Sequence, residues 1–162
     1  MVTAEQAGGL LVAARGHRLE ALFVVALTTG ARMSELLGLT WSSVDLDRGS
    51  ITIRTTLQWI DREPQLAEPK TGRSRRTIAL APMAVSALRR HRTRQLEEAL
   101  RVGPAWTNLL NLCFTSQVGY PLKRHSVLRR DFRPLLSIAG LPETLRFHDL
   151  RHIAASLALS QN

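Results

Sequence analysis

The alternation of apolar and polar residues divides the chain into three stretches. From Thr3 to Gly38 the pattern is helical. Thr3 and Gln6 outline a capping box that opens "TAEQAGGLLVAA", although Gly8 and Gly9 weaken the helix that follows. "HRLEALFVVALTTG" is strongly apolar, which predicts a buried second helix closed by Gly30, and "RMSELLGL" predicts a short third helix ending near Gly38. Between about 50 and 80 the period shortens to two. "SITIRTTLQWI", "PQLAEPK" and "RRTIAL" are set off by the turn-forming "DRG", "DREP" and "KTGRS". They predict an antiparallel meander of three strands, with Lys70 at the hairpin between the last two. Helices return from about 82 to 161. "APMAVSALRRHRTRQLEEALRVG" starts with Pro82 and carries an apolar stripe of Met83, Val85, Leu88, Leu96 and Leu100. "LNLCFTS" reads as a short buried strand or extended segment, and "KRHSVLRRDFRPLLSIAG" as a helix interrupted near Pro134. A last helix begins near Phe147 or His148, with Leu150, Ile153, Ala154 and Leu157 on its core-facing side. The expectation is one α+β domain over 1–162, mainly helical with a small three-stranded antiparallel sheet.

Composition adds charge to this picture. Lys and Arg number 22 against 13 Asp and Glu, a formal net charge of +9. A domain this basic suits a polyanion, with nucleic acid the first candidate, although a solvated basic surface gives the same sum. Only Lys70 and Lys123 are lysines; the other basic residues are arginines, whose flat fork of donors matches phosphate. Cys113 is the only cysteine, so no internal disulfide forms. No apolar run is long enough for a membrane helix, and residues 1–20 lack the pattern of a signal peptide. The expected location is the cytoplasm.

Three stretches carry candidate chemistry. "HDLRH" places His148, Arg151 and His152 at i, i+3, i+4, on the helix face beside the apolar stripe, where donors are partly desolvated. Histidine with arginine suits an anion; a surface cluster would look the same. His148 and His152 have the spacing of two metal ligands on one helical turn, but "HExxH" is absent and no third ligand is evident, so no metal is expected. In "TTGARMSELLGLTW", Arg32 stands at an expected helix start and Glu35 one turn on, able to hold it. An ordinary ion pair would have that spacing too. "EPKTGRSRRTIAL" follows Lys70 with Arg73, Arg75 and Arg76, a basic finger suited to phosphates or equally a solvated turn. Lys123 and Arg124 add a further basic pair.

Together these stretches resemble the catalytic domain of the tyrosine recombinases, the phage-integrase family. "TGARMSELLGL" matches the family's "TGxRxxELxxL" with Arg32; "PKTGRSRRTIAL" matches its hairpin lysine with Lys70; "HDLRH" matches "HxLRH" with His148 and Arg151. One such motif is only suggestive, but three in order are specific, and the resemblance covers essentially the whole chain. It implies a mechanism in which a tyrosine attacks a DNA phosphodiester and forms a 3′-phosphotyrosine link, with no metal or nucleotide cofactor. On that resemblance Arg32 and Arg151 clamp the nonbridging oxygens, Lys70 protonates the leaving 5′ oxygen, and His148 assists. Glu35 and His152 support the site. Arg73, Arg75, Arg76, Lys123 and Arg124 contact DNA. Double-stranded DNA and further recombinase subunits are the implied partners.

The family pattern continues past "HDLRH" to a further His or Trp and then the nucleophilic tyrosine, whereas the sequence stops at Asn162. Tyr120, the single tyrosine, precedes the last helix. On the resemblance, the chain is expected to be truncated before its nucleophile and to lack the family's N-terminal clamp domain. It would then not cleave DNA alone, and would leave an apolar patch around Leu157 and Leu159. The alternatives are a non-catalytic DNA-binding or regulatory remnant, and an enzyme that takes its tyrosine from another subunit.

Overall fold

A computed structural model of the protein describes residues 2–68 and 71–154. Helix α1 (Ala4–Ala14) opens with the expected capping box: the Gln6 N–H donates to Thr3 Oγ1 at 3.1 Å, and the Thr3 N–H to Gln6 Oε1 at 2.9 Å. Helix α2 (Glu20–Thr29) is buried from Ala21 through Leu27 and forms the centre of the core, packing on α1 and on α4 (Pro82–Val102). Gly30 ends α2 at φ 72°, a left-handed cap that glycine adopts without a Cβ clash. Helix α3 (Met33–Leu37) follows at once.

The strand region differs from the expected meander. Strands β1 (Val44–Asp45), β2 (Ser50–Ile53) and β5 (Arg76–Ala79) form an antiparallel sheet of order β1-β2-β5. Among the described residues, strands β3 (Thr56–Ile60) and β4 (Glu63–Ala67) pair only with each other, around a turn in which Asp61 and Arg62 both have positive φ. Two such residues match the right-handed strand twist of a tight hairpin. The segment from 50 to 60 is therefore two strands in two sheets, and the break falls at Arg54 and Thr55. Here the chain is turned onto α3. Thr55 Oγ1 donates to the Gly38 carbonyl at 3.0 Å, and a Cβ on Gly38 would sit 2.6 Å from the Leu57 nitrogen. The hairpin expected between β4 and β5 does not form, since β5 pairs with β2 across Ile51↔Ile78 and Thr52↔Thr77. Lys70 itself lies outside the described residues, as do Leu157 and Leu159.

Helix α4 buries Leu88 and part of Val85 from the expected stripe, but the rest of its inward face differs. Met83, Leu96 and Leu100 are exposed, while Ala84, Ala87, Leu88, His91, Gln95 and Glu98 face inward. The polar members of that set satisfy the backbone of the extended segment Leu112–Thr115. Gln95 Nε2 donates to the Leu112 and Cys113 carbonyls, and His91 Nε2 to the Cys113 carbonyl at 2.6 Å. Glu98 holds Arg18 through two bonds of 2.8 and 2.7 Å, and Arg18 donates to the Thr115 carbonyl. "LNLCFTS" is thus an extended segment with isolated bridges at Thr40↔Leu112 and Thr115↔Pro121, and side chains do the work of a neighbouring strand.

The interruption near Pro134 is a π-helical turn, Leu128–Phe132, between α5 (Arg124–Val127) and α6 (Arg133–Ile138). Proline lacks the N–H for the carbonyl one turn back and its ring crowds that carbonyl; a widened turn removes the conflict without a break. Phe132 in this turn packs on Phe23 of α2 and Phe147, with ring centroids 6.1 and 5.5 Å away. That trio anchors a 3-10 turn, Phe147–Asp149, and the helix over 150–154, whose Leu150 and Ile153 are buried. Among the described residues no helix is long and apolar enough to cross a membrane.

Gly38→Ala is expected to destabilise the fold by about 2 kcal/mol, because the added Cβ meets β3 backbone rather than a flexible side chain. Gly8→Ala, in the exposed interior of α1 with nothing within 4 Å of the new Cβ, is expected to stabilise by about 0.5–1 kcal/mol. Urea denaturation of the two variants measures both signs.

Candidate phosphate-binding site

The turn after α2 meets the helix over 150–154 at close range. A Cβ on Gly30 would lie 3.3 Å from Ala154 Cβ and 3.5 Å from the Arg151 carbonyl oxygen. The spacing is tight and the φ of 72° favours glycine over any side chain, and the contact brings Arg32, two residues on, beside Arg151. A cavity of about 100 Å³ opens there, lined by Arg32, Ser34, Arg124, Phe147, His148 and Arg151 together with Ala31 and Met33. Arg32 and His148 are exposed and Arg151 half-buried, so three cationic forks and an imidazole face a small solvent-reached space. A wider depression of about 560 Å³ adjoins it, sharing Arg124, Phe147 and His148 and adding Arg133, Arg146 and Glu143.

Beneath Arg32 lies a buried acid. Glu35 is 2% exposed. Its Oε2 accepts the Arg32 N–H at 2.8 Å and Arg76 Nη2 at 3.0 Å, and its Oε1 accepts Arg76 Nη1 at 3.0 Å. Burial pulls the Glu35 carboxyl upward, but the Arg76 fork, the Arg32 N–H and the charges of both arginines outweigh it and hold it below the ordinary carboxylate range. At the other end, Asp149 caps its own turn by accepting the Arg146 N–H at 2.8 Å. That bond and the Arg146 side chain lower its carboxyl too.

The residues singled out from sequence do not all gather here. Arg32, His148, Arg151 and Arg124 line the cavity. His152 stands one helical turn from His148, its ring edge-on at 6.2 Å between centroids. Arg76 points into Glu35, and Arg75 pairs with Glu68 at 2.8 Å on the surface. Arg73 is exposed in the 3-10 turn Gly72–Ser74. Lys123 Nζ sits 4.9 Å above the Trp59 ring, where Tyr120 also packs. Lys70 lies outside the described residues. Sequence reasoning passed over Ser34, Arg133 and Arg146; nothing but their charge or polarity distinguished them. Among the described residues, no group of three or more His, Cys, Asp or Glu side chains is gathered that could hold a metal ion.

Residues 1–162 match the Phage integrase family. The chain belongs to that family. It is 32% identical over 155 residues to a "Tyrosine recombinase XerC-like" protein of Caldanaerobacter subterraneus subsp. tengcongensis, covering 89% of this chain and 39% of the relative. It is 39% identical over 148 residues to an "Integrase" of Streptomyces ambofaciens, covering 86% of this chain and 36% of that protein. The phage-integrase chain described here therefore spans well under half the length of these curated relatives. Its fold is that of the XerA recombinase crystal structure, with a TM-score of 0.75, 24% identity, and coverage of 99% of this chain and 50% of that one. The Tn1549 transposon integrase in complex with transposon right end DNA gives a TM-score of 0.79 at 23% identity, covering 99% of this chain and 53% of that one.

The Glu35 lock generates a pH prediction. Folding lowers the carboxyl from its ordinary value of 4.5, so its contribution is full above that value and is lost as pH falls through the folded value. Glu35→Gln is expected to lose about 2–3 kcal/mol at pH 7, the modest end for a broken buried pair, because Arg76 retains some access to water. Urea denaturation from pH 7 to pH 3 is expected to show the gap between variant and parent narrowing below pH 4.5.

Proposed function

We propose that this chain is the phosphate-gripping core of a site-specific DNA recombinase that breaks and rejoins strands through a 3′-phosphotyrosine intermediate. The observation that carries the reading is that Arg32 and Arg151, more than a hundred residues apart in sequence, line one small cavity with His148. Attack on a phosphodiester builds negative charge on the two nonbridging oxygens, and two guanidinium forks aimed into one space complement that charge. Metal-free chemistry of this kind needs fixed cations, and arginine at its high pKa stays charged at every working pH.

In the proposed step a tyrosine oxygen bonds to phosphorus while the bond to the 5′ oxygen breaks. The leaving oxygen takes its proton from Lys70, which an arginine could not supply. His148 donates to a nonbridging oxygen or passes the tyrosine proton on. The 3′-phosphate stays on the tyrosine until a second 5′ hydroxyl reverses the step. Tyr120 is not assigned this role: it packs against Trp59 and does not line the cavity. Double-stranded DNA is the substrate, and further recombinase subunits complete the exchange.

Binding of a fluorescent duplex, followed against salt concentration, tests the reading. Affinity is expected to fall steeply with salt, and Arg32→Ala and Arg151→Ala are each expected to reduce the log–log slope by about one. A flat salt response in the parent protein, or slopes unchanged in both variants, contradicts it.

A further inference from the structure

We propose that Arg76 is a positioning residue for Arg32: by holding Glu35 in its fork it fixes the backbone from which Arg32 enters the phosphate cavity, and it does not itself grip DNA. The consequence for DNA rests on the phosphate-clamp reading above; the linkage itself does not. Glu35 Oε2 is the shared atom, accepting both the Arg32 N–H at 2.8 Å and Arg76 Nη2 at 3.0 Å. Arg32 stands just before α3, and its own N–H is one of the helix-start donors that needs a partner. Glu35 supplies it while its side chain stays inward, and most strongly while the carboxylate stays charged.

Arg76 makes that possible. Both of its terminal nitrogens bond to the two Glu35 oxygens at 3.0 Å, a parallel pair that cancels the charge and fixes the plane of the carboxylate. Without the fork, a carboxylate that is 2% exposed takes a proton or turns outward to water, and either change loosens the Arg32 N–H. Arg76 is itself held: it begins β5, opposite Ile53 of β2, so the sheet is the fixed end of the link. Arg76 Nη1 also donates to the Ser74 carbonyl at 3.1 Å. One guanidinium therefore ties the turn Gly72–Ser74 and the start of α3 to the same strand. A residue gripping DNA would present its fork to solvent; this one is two-thirds covered and faces an acid.

Amide hydrogen exchange and duplex binding together test the proposal. In Arg76→Gln the Arg32 amide is expected to exchange at least about tenfold faster while amides in the middle of α2 keep their protection. Arg76→Lys, which keeps the charge but not the parallel fork, is expected to fall between, and serves as the test should the glutamine variant fail to fold. In binding, Arg76→Gln is expected to weaken the duplex in the parent protein but to add nothing to affinity loss or salt slope in an Arg32→Ala background. An unchanged Arg32 amide overturns the proposal. So does a further loss of about one unit of salt slope in the double variant, which marks Arg76 as a direct phosphate contact. If Arg32→Ala leaves duplex binding untouched, the clamp reading fails, and the Arg32 amide alone decides whether Arg76 positions that backbone.

Discussion

The contact between the Gly30 turn and the helix over 150–154 is the constraint on which the rest of the site depends. It is a tight approach of the Gly30 turn to the Arg151 backbone and the Ala154 side chain, between segments more than a hundred residues apart. Everything around it serves to hold the two sides together. On one side α2 runs through the core and delivers Gly30. On the other, Phe147 is clamped by Phe132 and Phe23 and delivers the turn that carries His148. Phosphate chemistry needs donors fixed before the substrate arrives, because reorganising them during the reaction raises the barrier. Packing around Phe147 and the Gly30 turn places the backbone from which the arginines reach the cavity.

A second set of polar groups lies deeper and has a different role. His91, Gln95 and Arg18 donate to the backbone carbonyls of Leu112–Thr115, and Glu98 holds Arg18 in place; none of the four lines the cavity with Arg32 and Arg151. Burial holds the His91 imidazole below its usual range, consistent with a neutral ring donating to a carbonyl. Glu35 occupies a third position, between core and site: buried like the first set, yet bonded directly to the backbone of Arg32. Breaking a buried pair leaves an uncompensated charge, so Glu35, Arg76 and the Arg32 N–H hold one shared arrangement.

Much of this was legible in the sequence, for physical reasons that differ by element. The capping box at Thr3 and Gln6 and the cap at Gly30 are local and depend on neighbours within one turn. Arg32, His148 and Arg151 were singled out by their types and their order in the motifs, and the structure brings all three to one cavity. The division of the strand region was not legible. Ile51, Ile53 and Leu57 keep the same alternation across Arg54 and Thr55, so nothing in the pattern marks where the chain leaves one sheet for another. The reason lies in Gly38, an element away. Helix α4 misled in the opposite sense: much of its visible apolar stripe is exposed, and its inward face ends in His91, Gln95 and Glu98, because the extended segment beside it has only isolated bridges and leaves carbonyls that need donors. Arg76 reads as one more basic finger residue until the buried acid it faces is known.

The central claim is that Arg32 and Arg151 hold one phosphate between them. Their guanidinium Nε–H resonances, followed by NMR while a short DNA duplex is titrated, test it most directly. The account predicts that both resonances shift along a common binding curve, and that in Arg151→Ala the Arg32 shift is reduced or lost. Shifts with separate midpoints, or an Arg32 response indifferent to the loss of Arg151, would contradict it.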